Sequence, residues 1–192
     1  MEERNEEKFY HTFSIIKPDS MKYKEEIVKM IEDAGFRVIY AKCECLTKDK
    51  VEEHYAHCKH LDVYPKIVES MLQGPVMLMI IYDPKGNAIN RFRKLQGATK
   101  SWEAEKGTIR ERFGSRCEPY KNATHASSSP IEVKDEILRF FKNDIEDILE
   151  KINNYNKLDK MFADAYRFID SEWIIEKAQE EYILRRKYNG EK

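Results

Sequence analysis

The sequence predicts an α/β protein, in which helices pack against one face of a small sheet. Strand-like segments alternate along the chain with segments whose apolar residues recur at helical spacing. The most apolar run, 76–82, follows the break at Gly74-Pro75 and predicts the core strand. The chain has 192 residues, enough for one substantial domain with or without an appendage.

The segments before this core strand predict two strands and three helices. Alternating residues predict each strand, and apolar residues at helical spacing predict the helices. The predicted elements are a strand over 10–16 that ends at Lys17-Pro18, a helix around 27–31 that stops at Gly35, a strand over 36–46, a helix capped by Thr47, and a helical segment over 64–72.

The segments after the core strand predict a long loop between a helix and a final strand. Asn87 is expected to cap a helix that runs to Leu95. The polar segment 97–121, with a short helix around 108–113, is longer than a passive connection, so we expect it to be functional. A short strand near His125 and a helix over 130–141 complete the order β-α-β-α-β-α-β-α.

The chain divides into three predicted parts. Residues 1–8 form a charged leader, 9–142 the main domain and 143–192 a helical extension. The extension has two apolar stripes at helical spacing, and it is too small to hold its own core, so we expect it to pack on the main domain or on a neighbouring subunit. The stripes contain Ile145, Ile148, Leu149 and Ile152, and then Leu158, Met161, Phe162, Ala165, Ile169, Trp173, Ile174 and Tyr182.

Composition narrows the class of protein. Lys and Arg total 34 against 35 for Asp and Glu, a net charge of −1 that disfavours nucleic acid as the main partner. No apolar run approaches the about 20 residues that span a bilayer. The acidic N-terminus has no apolar segment typical of a secretory signal, so we expect a cytoplasmic protein.

The cysteine pattern gives little sign of redox or metal chemistry. Cys43, Cys45, Cys58 and Cys117 form no CxxC pair. Cys43 and Cys45 would share one strand face. We expect buried structural thiols.

The segment 122–134 contains the best candidate for chemistry. It places His125 before a run of small hydroxyl residues and a new helix. A neutral imidazole nitrogen is a possible nucleophile toward phosphorus. Glu136, on the following helix, could accept a hydrogen bond from this ring and fix its tautomer. Phosphoryl transfer also needs positive potential and donors, for which the candidates are Lys17, Arg93, Thr99, Arg110 and Asn122.

These motifs occur in an order that resembles the nucleoside diphosphate kinase family. The resemblance extends from about residue 12 to residue 141. It rests on Thr12-Phe13-Ser14-Ile15-Ile16-Lys17-Pro18-Asp19, Glu53-His54-Tyr55, Gly74-Pro75-Val76, Gly97-Ala98-Thr99, Gly107-Thr108-Ile109-Arg110 and Asn122-Ala123-Thr124-His125-Ala126-Ser127.

The resemblance implies a ferredoxin-like domain, with a four-stranded antiparallel sheet covered by helices. It implies Mg²⁺-dependent, ping-pong transfer of the γ-phosphate from ATP or another nucleoside triphosphate to a diphosphate, through a phosphohistidine at His125. Glu136 would orient the histidine, and Ser127 would shape the floor of the pocket. A homo-oligomer is also implied. The nucleotide would be bound by Lys17, Tyr55, Arg93, Thr99, Arg110 and Asn122.

Some positions depart from the family pattern. Val63 occupies the place of the aromatic residue that stacks on the base, so either Val63 or the adjacent Tyr64 is the expected base platform. The loop after Thr99 lacks the usual prolines, which bears on subunit contacts.

Two other functions compete with phosphoryl transfer. His54, His57, Cys58 and His60 lie within one predicted helical stretch, where residues three and four apart share a face, and could bind zinc. An interaction module that has lost catalysis is the second alternative. The joint presence of Lys17, Arg110, Asn122, His125 and Glu136 argues against it.

Overall fold

The computed structural model describes residues 8–148 and contains a four-stranded antiparallel sheet. The strands are β1 (His11–Ile16), β2 (Arg37–Glu44), β3 (Val76–Tyr82) and β4 (Thr124–Ala126). Their spatial order is β2-β3-β1-β4, so β3 and β1 are central. The predicted core strand is confirmed as β3, and each predicted strand is present within two residues of its expected ends.

Helices connect and flank the strands in the predicted order. The α-helices are α1 (Lys24–Asp33), α2 (Lys48–His54), α3 (Tyr64–Met71), α4 (Ala88–Gln96), α5 (Ile109–Phe113) and α6 (Pro130–Phe141). Short 3₁₀ turns cover Pro18–Tyr23, Ala56–Cys58 and Ser101–Glu103. α1 ends just before Gly35, whose positive φ of 87° suits the glycine that stops the helix.

Both faces of the sheet are covered, which corrects the expectation that helices cover one face. Leu78 and Ile80 of β3 pack in a core that includes residues of α2, α3 and α6. Met79 and Ile81 pack in a second core with residues of α1, α4 and α5, including Phe92. Because successive strand residues point to opposite faces, these cores lie on the two sides of the sheet. Two-sided burial also explains why β3 is apolar throughout rather than alternating.

Only one of the two expected helix caps forms as predicted. The side chain of Thr47 accepts a hydrogen bond from the backbone N–H of Lys50 at 3.4 Å. Asn87 occupies the first position before α4, but its side chain makes no capping bond. Asp83 accepts the backbone N–H groups of Lys85 and Asn87 instead, at 3.0 and 3.3 Å. The turn before α4 is therefore organised by the buried carboxylate.

The cysteines are not the buried thiols that the sequence predicted. Cys43, Cys45 and Cys117 are exposed, and Cys58 is half-buried. β2 lies at one end of the sheet, and the strand face that carries Cys43 is left open. Over 41–44 the alternation of β2 is as predicted, but the face that carries Cys43 is exposed.

The extension begins within the first core. Ile145 and Ile148 are buried there, as expected for a segment that packs on the main domain. The rest of the first stripe and all of the second, 158–182, lie outside the described residues. Among residues 8–148, no helix is long and apolar enough to cross a membrane.

Candidate active site

A cavity of about 730 Å³ opens beside β4, α2 and α6. Predicted site residues from distant parts of the sequence meet on its wall. They are Lys17, Tyr55, Val63, Arg93, Thr99, Arg110, Asn122, His125 and Glu136. Ser127 and Tyr64 are not on the wall.

Lys17 enters the cavity from the end of β1. Pro18 starts a 3₁₀ turn directly after it, so the chain leaves the sheet and the side chain extends into the site. Its Nζ donates to Oδ1 of Asn122 at 2.7 Å and to the carbonyl of Tyr120 at 3.2 Å. Burial, together with the nearby Arg110 guanidinium, lowers the pKa of Lys17 to about 8. The ammonium is therefore cationic at neutral pH and titrates at mildly alkaline pH.

Two arginines add positive charge to the same cavity. Arg110 on α5 donates to the carbonyls of Gly97 at 3.1 Å and Thr124 at 2.9 Å. Burial, and then the neighbouring Arg93, lower the pKa of Arg110 to about 10, so it stays charged. Arg93 on α4 donates to the carbonyl of Ala126 at 3.4 Å. Among residues 8–148, carbonyl groups and no carboxylates hold these guanidinium groups, so their charge is available for an anion.

The turn before β4 is tied to the end of β1. Ala123 has a positive φ of 66°, uncommon for a residue with a side chain. Its N–H donates to Asp19 at 3.1 Å, and its carbonyl accepts from the N–H of Lys17 at 2.8 Å. Asn122 beside it donates through Nδ2 to the carbonyl of Thr99 at 3.0 Å. These bonds fix the two residues that precede the strand of His125.

His125 is held as a neutral imidazole. It lies opposite Ile15 in the β1–β4 pairing, and 18% of its side chain is exposed. Burial, then the charges of Lys17 and Arg110, lower the pKa of His125 to about 3. Nε2 lies 2.6 Å from Oε1 of Glu136. When Nε2–H donates to the carboxylate, Nδ1 keeps its lone pair.

Glu136 connects His125 to the protein interior. Burial raises its pKa to about 7, although the hydroxyl of Ser127, which donates to Oε2, and the nearby His54 favour the ionised form. Ser127 thus lies behind Glu136 and does not form the floor of the cavity. Ser127 was expected on the floor of the pocket; in the structure it contacts the site through its hydrogen bond to Glu136.

Part of the cavity wall is apolar. Leu61, Val63, Ile67 and Pro119 contribute to it. Tyr64 packs against the first core, and its buried hydroxyl has no hydrogen-bond partner among the described residues. Of the two predicted base platforms, only Val63 therefore reaches the cavity.

His54 is a site residue that the phosphoryl-transfer prediction missed. Its ring centroid lies 4.6 Å from that of His125, and its Nδ1 lies 3.6 Å from Oε1 of Glu136. The sequence contained a signal, since His54 precedes Tyr55 in the matched Glu53-His54-Tyr55 motif. The motif gave His54 no role of its own, and its spacing to His57, Cys58 and His60 also suggested a metal ligand.

The predicted zinc group does not assemble. Among residues 8–148, the His, Cys, Asp and Glu side chains that bring three ligand atoms within 4.8 Å of one another are His54, His125 and Glu136. His57 and His60 follow the end of α2, so the helical spacing that would align them with His54 is lost.

A neutral histidine and three cations around one cavity define a class of site, in which a phosphorylated substrate can meet a nitrogen nucleophile. The family model for nucleoside diphosphate kinase matches residues 10–145. The chain belongs to the nucleoside diphosphate kinase family.

Known relatives match about two thirds of the chain. Nucleoside diphosphate kinase 1 of Protochlamydia amoebophila is 40% identical over 136 residues, which are 69% of this chain and 93% of the relative. The Aquifex aeolicus enzyme structure is 32% identical, with a TM-score of 0.63, and covers 69% of this chain and 94% of its own. The Halobacterium salinarum enzyme, solved in complex with CDP, is 28% identical, with a TM-score of 0.62. The match covers 68% of this chain and 86% of that enzyme.

Proposed function

We propose that this chain is a nucleoside diphosphate kinase in which Nδ1 of His125 carries the phosphoryl group. The observation that supports this most directly is the 2.6 Å contact between Nε2 of His125 and Glu136. It leaves Nδ1 as the available nitrogen, in a cavity that Lys17, Arg93 and Arg110 make positive.

The first half-reaction forms a bond from Nδ1 to the γ-phosphorus of a nucleoside triphosphate. The bond from that phosphorus to the bridging oxygen breaks, and the electron pair leaves with the nucleoside diphosphate. Glu136 accepts the Nε2–H hydrogen bond and so stabilises the positive charge that develops on the ring. In the second half-reaction, an oxygen of another diphosphate takes the phosphoryl group and restores neutral His125.

The cationic groups stabilise the charge on the equatorial oxygens of the transferred group. The ammonium of Lys17 is directed into the site by Asn122, and Arg110 is held by two carbonyls. Thr99 and Asn122 are suited to bind phosphate or ribose oxygens. The ring centroid of Tyr55 lies 5.8 Å from Nζ of Lys17. Val63, on the apolar part of the cavity wall, would contact the base, and a single aliphatic platform reads no base edge.

Mg²⁺ is expected to enter with the nucleotide. The three-ligand group among the described residues contains two imidazoles, whereas Mg²⁺ prefers oxygen ligands and retains its waters. Glu132 and Asp135 on the cavity wall would hold the ion through those waters. When bound, Mg²⁺ supplies charge neutralisation at the β- and γ-phosphate oxygens.

We also propose a homo-oligomer that works in the cytoplasm. β2 lies at one end of the sheet with an open face, which supports subunit contact there. Size-exclusion chromatography with light scattering tests the assembly, and fractionation of cells that express the chain tests its location.

Initial-rate kinetics test the proposed reaction. With ATP as donor and dTDP as acceptor, varied together, a ping-pong enzyme gives parallel double-reciprocal lines. Intersecting lines would support direct transfer between two bound nucleotides. Absence of dTTP formation under all conditions would support the non-catalytic alternative.

A further inference from the structure

His54 is a buried polar side chain that the proposed mechanism does not use. It is 4% exposed, and both of its ring nitrogens are buried without a hydrogen-bond partner among residues 8–148. Such groups are costly to leave unsatisfied, so an unpaired imidazole next to a reactive histidine calls for an explanation.

The free nitrogens of His54 lie beside two other potential ligands. Nδ1 of His54 is 3.6 Å from Oε1 of Glu136, and Nε2 of His125 is 2.6 Å from the same oxygen. Each imidazole therefore presents one nitrogen to the same carboxylate oxygen. The two rings are nearly perpendicular, with an interplanar angle of 83° and centroids 4.6 Å apart.

The ligand types suit a zinc-like ion rather than Mg²⁺. The set consists of two imidazole nitrogens and one carboxylate oxygen, and an imidazole coordinates in its neutral form. In a tetrahedral zinc site with bonds of about 2.0–2.1 Å, ligand atoms are about 3.3 Å apart. The 3.6 Å contact already fits, and the 2.6 Å contact must open as the ion replaces the shared proton. The cavity admits water as the fourth ligand.

We propose that His54, His125 and Glu136 form an inhibitory site for Zn²⁺ and similar transition-metal dications. Lys17 and Arg110 oppose a cation here, whereas Glu132 on the cavity wall favours it. The site therefore binds more weakly than a structural zinc site and is occupied reversibly.

Inhibition follows from the tautomer of His125, and this step rests on the proposed function. A neutral imidazole carries one proton. Coordination at Nε2 moves that proton to Nδ1, and Glu136 releases its own proton if it holds one. Nδ1 then has no lone pair for the γ-phosphorus, so the metal blocks the first half-reaction without closing the nucleotide cavity.

Titration of the nucleotide-free, full-length protein with Co²⁺ tests binding alone. We expect one Co²⁺ per chain, with tetrahedral visible absorption bands and no thiolate charge-transfer band from Cys58. His54→Phe should weaken binding at least tenfold. The matched control is the double variant His57→Ala/His60→Ala, which should bind as the wild type does.

Three outcomes of this titration would overturn the site. These are equal binding by His54→Phe, loss of binding in the control variant, and a thiolate band. If His54→Phe does not fold, zinc-edge X-ray absorption of the wild type decides the question. Two imidazoles with oxygen ligands would support the site, and sulfur or a single imidazole would overturn it.

Phosphoenzyme formation tests the inhibition. With γ-labelled ATP, excess Mg²⁺ and buffered free Zn²⁺, wild-type labelling should fall as zinc rises and return with chelator. In His54→Phe, half-inhibition should need at least tenfold more zinc. Unchanged zinc sensitivity overturns the inhibitory role. Absence of label without zinc contradicts the proposed function instead, and leaves the Co²⁺ result unaffected.

Discussion

At the scale of single residues, one environment shifts two pKa values in opposite directions. Burial lowers the pKa of His125 to about 3 and raises that of Glu136 to about 7, because it penalises the charged form of each. This environment gives a neutral imidazole next to a carboxylate that accepts its N–H hydrogen bond. The sequence indicated both residues by their spacing. It also contained His54 within a matched motif, but the contact of His54 with His125 depends on the packing of α2 against α6 and could not be predicted.

Glu136→Gln tests the orienting role. We expect kcat to fall about 10- to 100-fold, because an amide stabilises the developing imidazolium less well, with little change in KM. Thermal stability should not fall, since the substitution removes a carboxyl group that is costly to ionise in its buried position. Steady-state kinetics and a melting curve give both values. Unchanged kcat, or matched losses of kcat and stability, would contradict the role.

Lys17 should give the reaction an alkaline limit. Its lowered pKa means that the free enzyme carries this charge below about pH 8 and loses it above. We therefore expect kcat/KM to fall by up to about tenfold per pH unit above pH 8, because the phosphates lose a cationic partner. Lys17→Gln should have lower kcat/KM at pH 7 and lack this limb. If the fall of kcat/KM above pH 8 persists in Lys17→Gln, the fall belongs to another titrating group.

At the scale of elements, the loop 97–121 acts by placing Arg110. Its length indicated a functional loop, and its short helix was predicted to within one residue. The close packing of Gly97 on Thr108 was not predictable, because it joins the start of the loop to the residue before α5, eleven positions later. The same limit applies to Asn87, where a tertiary contact with Asp83 replaced the expected local cap.

Gly97→Ala should disrupt this loop. Gly97 has φ of 89°, and an added Cβ would meet Thr108 Oγ1 at 2.5 Å. We expect a loss of about 2 kcal/mol or more in unfolding free energy, together with lower kcat/KM, since Arg110 is bonded to the Gly97 carbonyl.

Gly107→Ala is the matched control for this substitution. Its φ of 88° is similar, but among residues 8–148 no atom beyond its chain neighbours lies within 4 Å of the added Cβ. It should lose about 1 kcal/mol, the cost of the backbone conformation alone. Urea unfolding compares the two. Equal losses would mean that the Thr108 contact contributes nothing.

At the scale of the whole molecule, strand order and two-sided burial bring Lys17, Arg110 and His125 to one cavity. The alternating elements predicted the order of the fold, but not that helices cover both faces. That feature depends on which strand residues find partners, and the exposed Cys43 shows the same limit. The predicted boundary after residue 142 stays a prediction, although Ile145 and Ile148 already belong to the first core.

Truncated chains therefore test whether the start of the extension stabilises the main domain. A chain that ends at residue 142 should have a lower urea midpoint than one that ends at residue 148. The difference in unfolding free energy should be about 3 kcal/mol. The shorter chain loses the buried Ile145 and Ile148 and the 2.9 Å ion pair between Lys42 and Asp144. Equal midpoints would show that the main domain is complete at residue 142.

The central claim is that His125 carries the phosphoryl group. The most direct measurement is a single half-reaction with γ-labelled ATP and no acceptor. We expect close to one acid-labile, alkali-stable phosphate per chain, discharged by added GDP, and none in His125→Ala. Label that persists in His125→Ala, or that GDP cannot remove, would contradict the account.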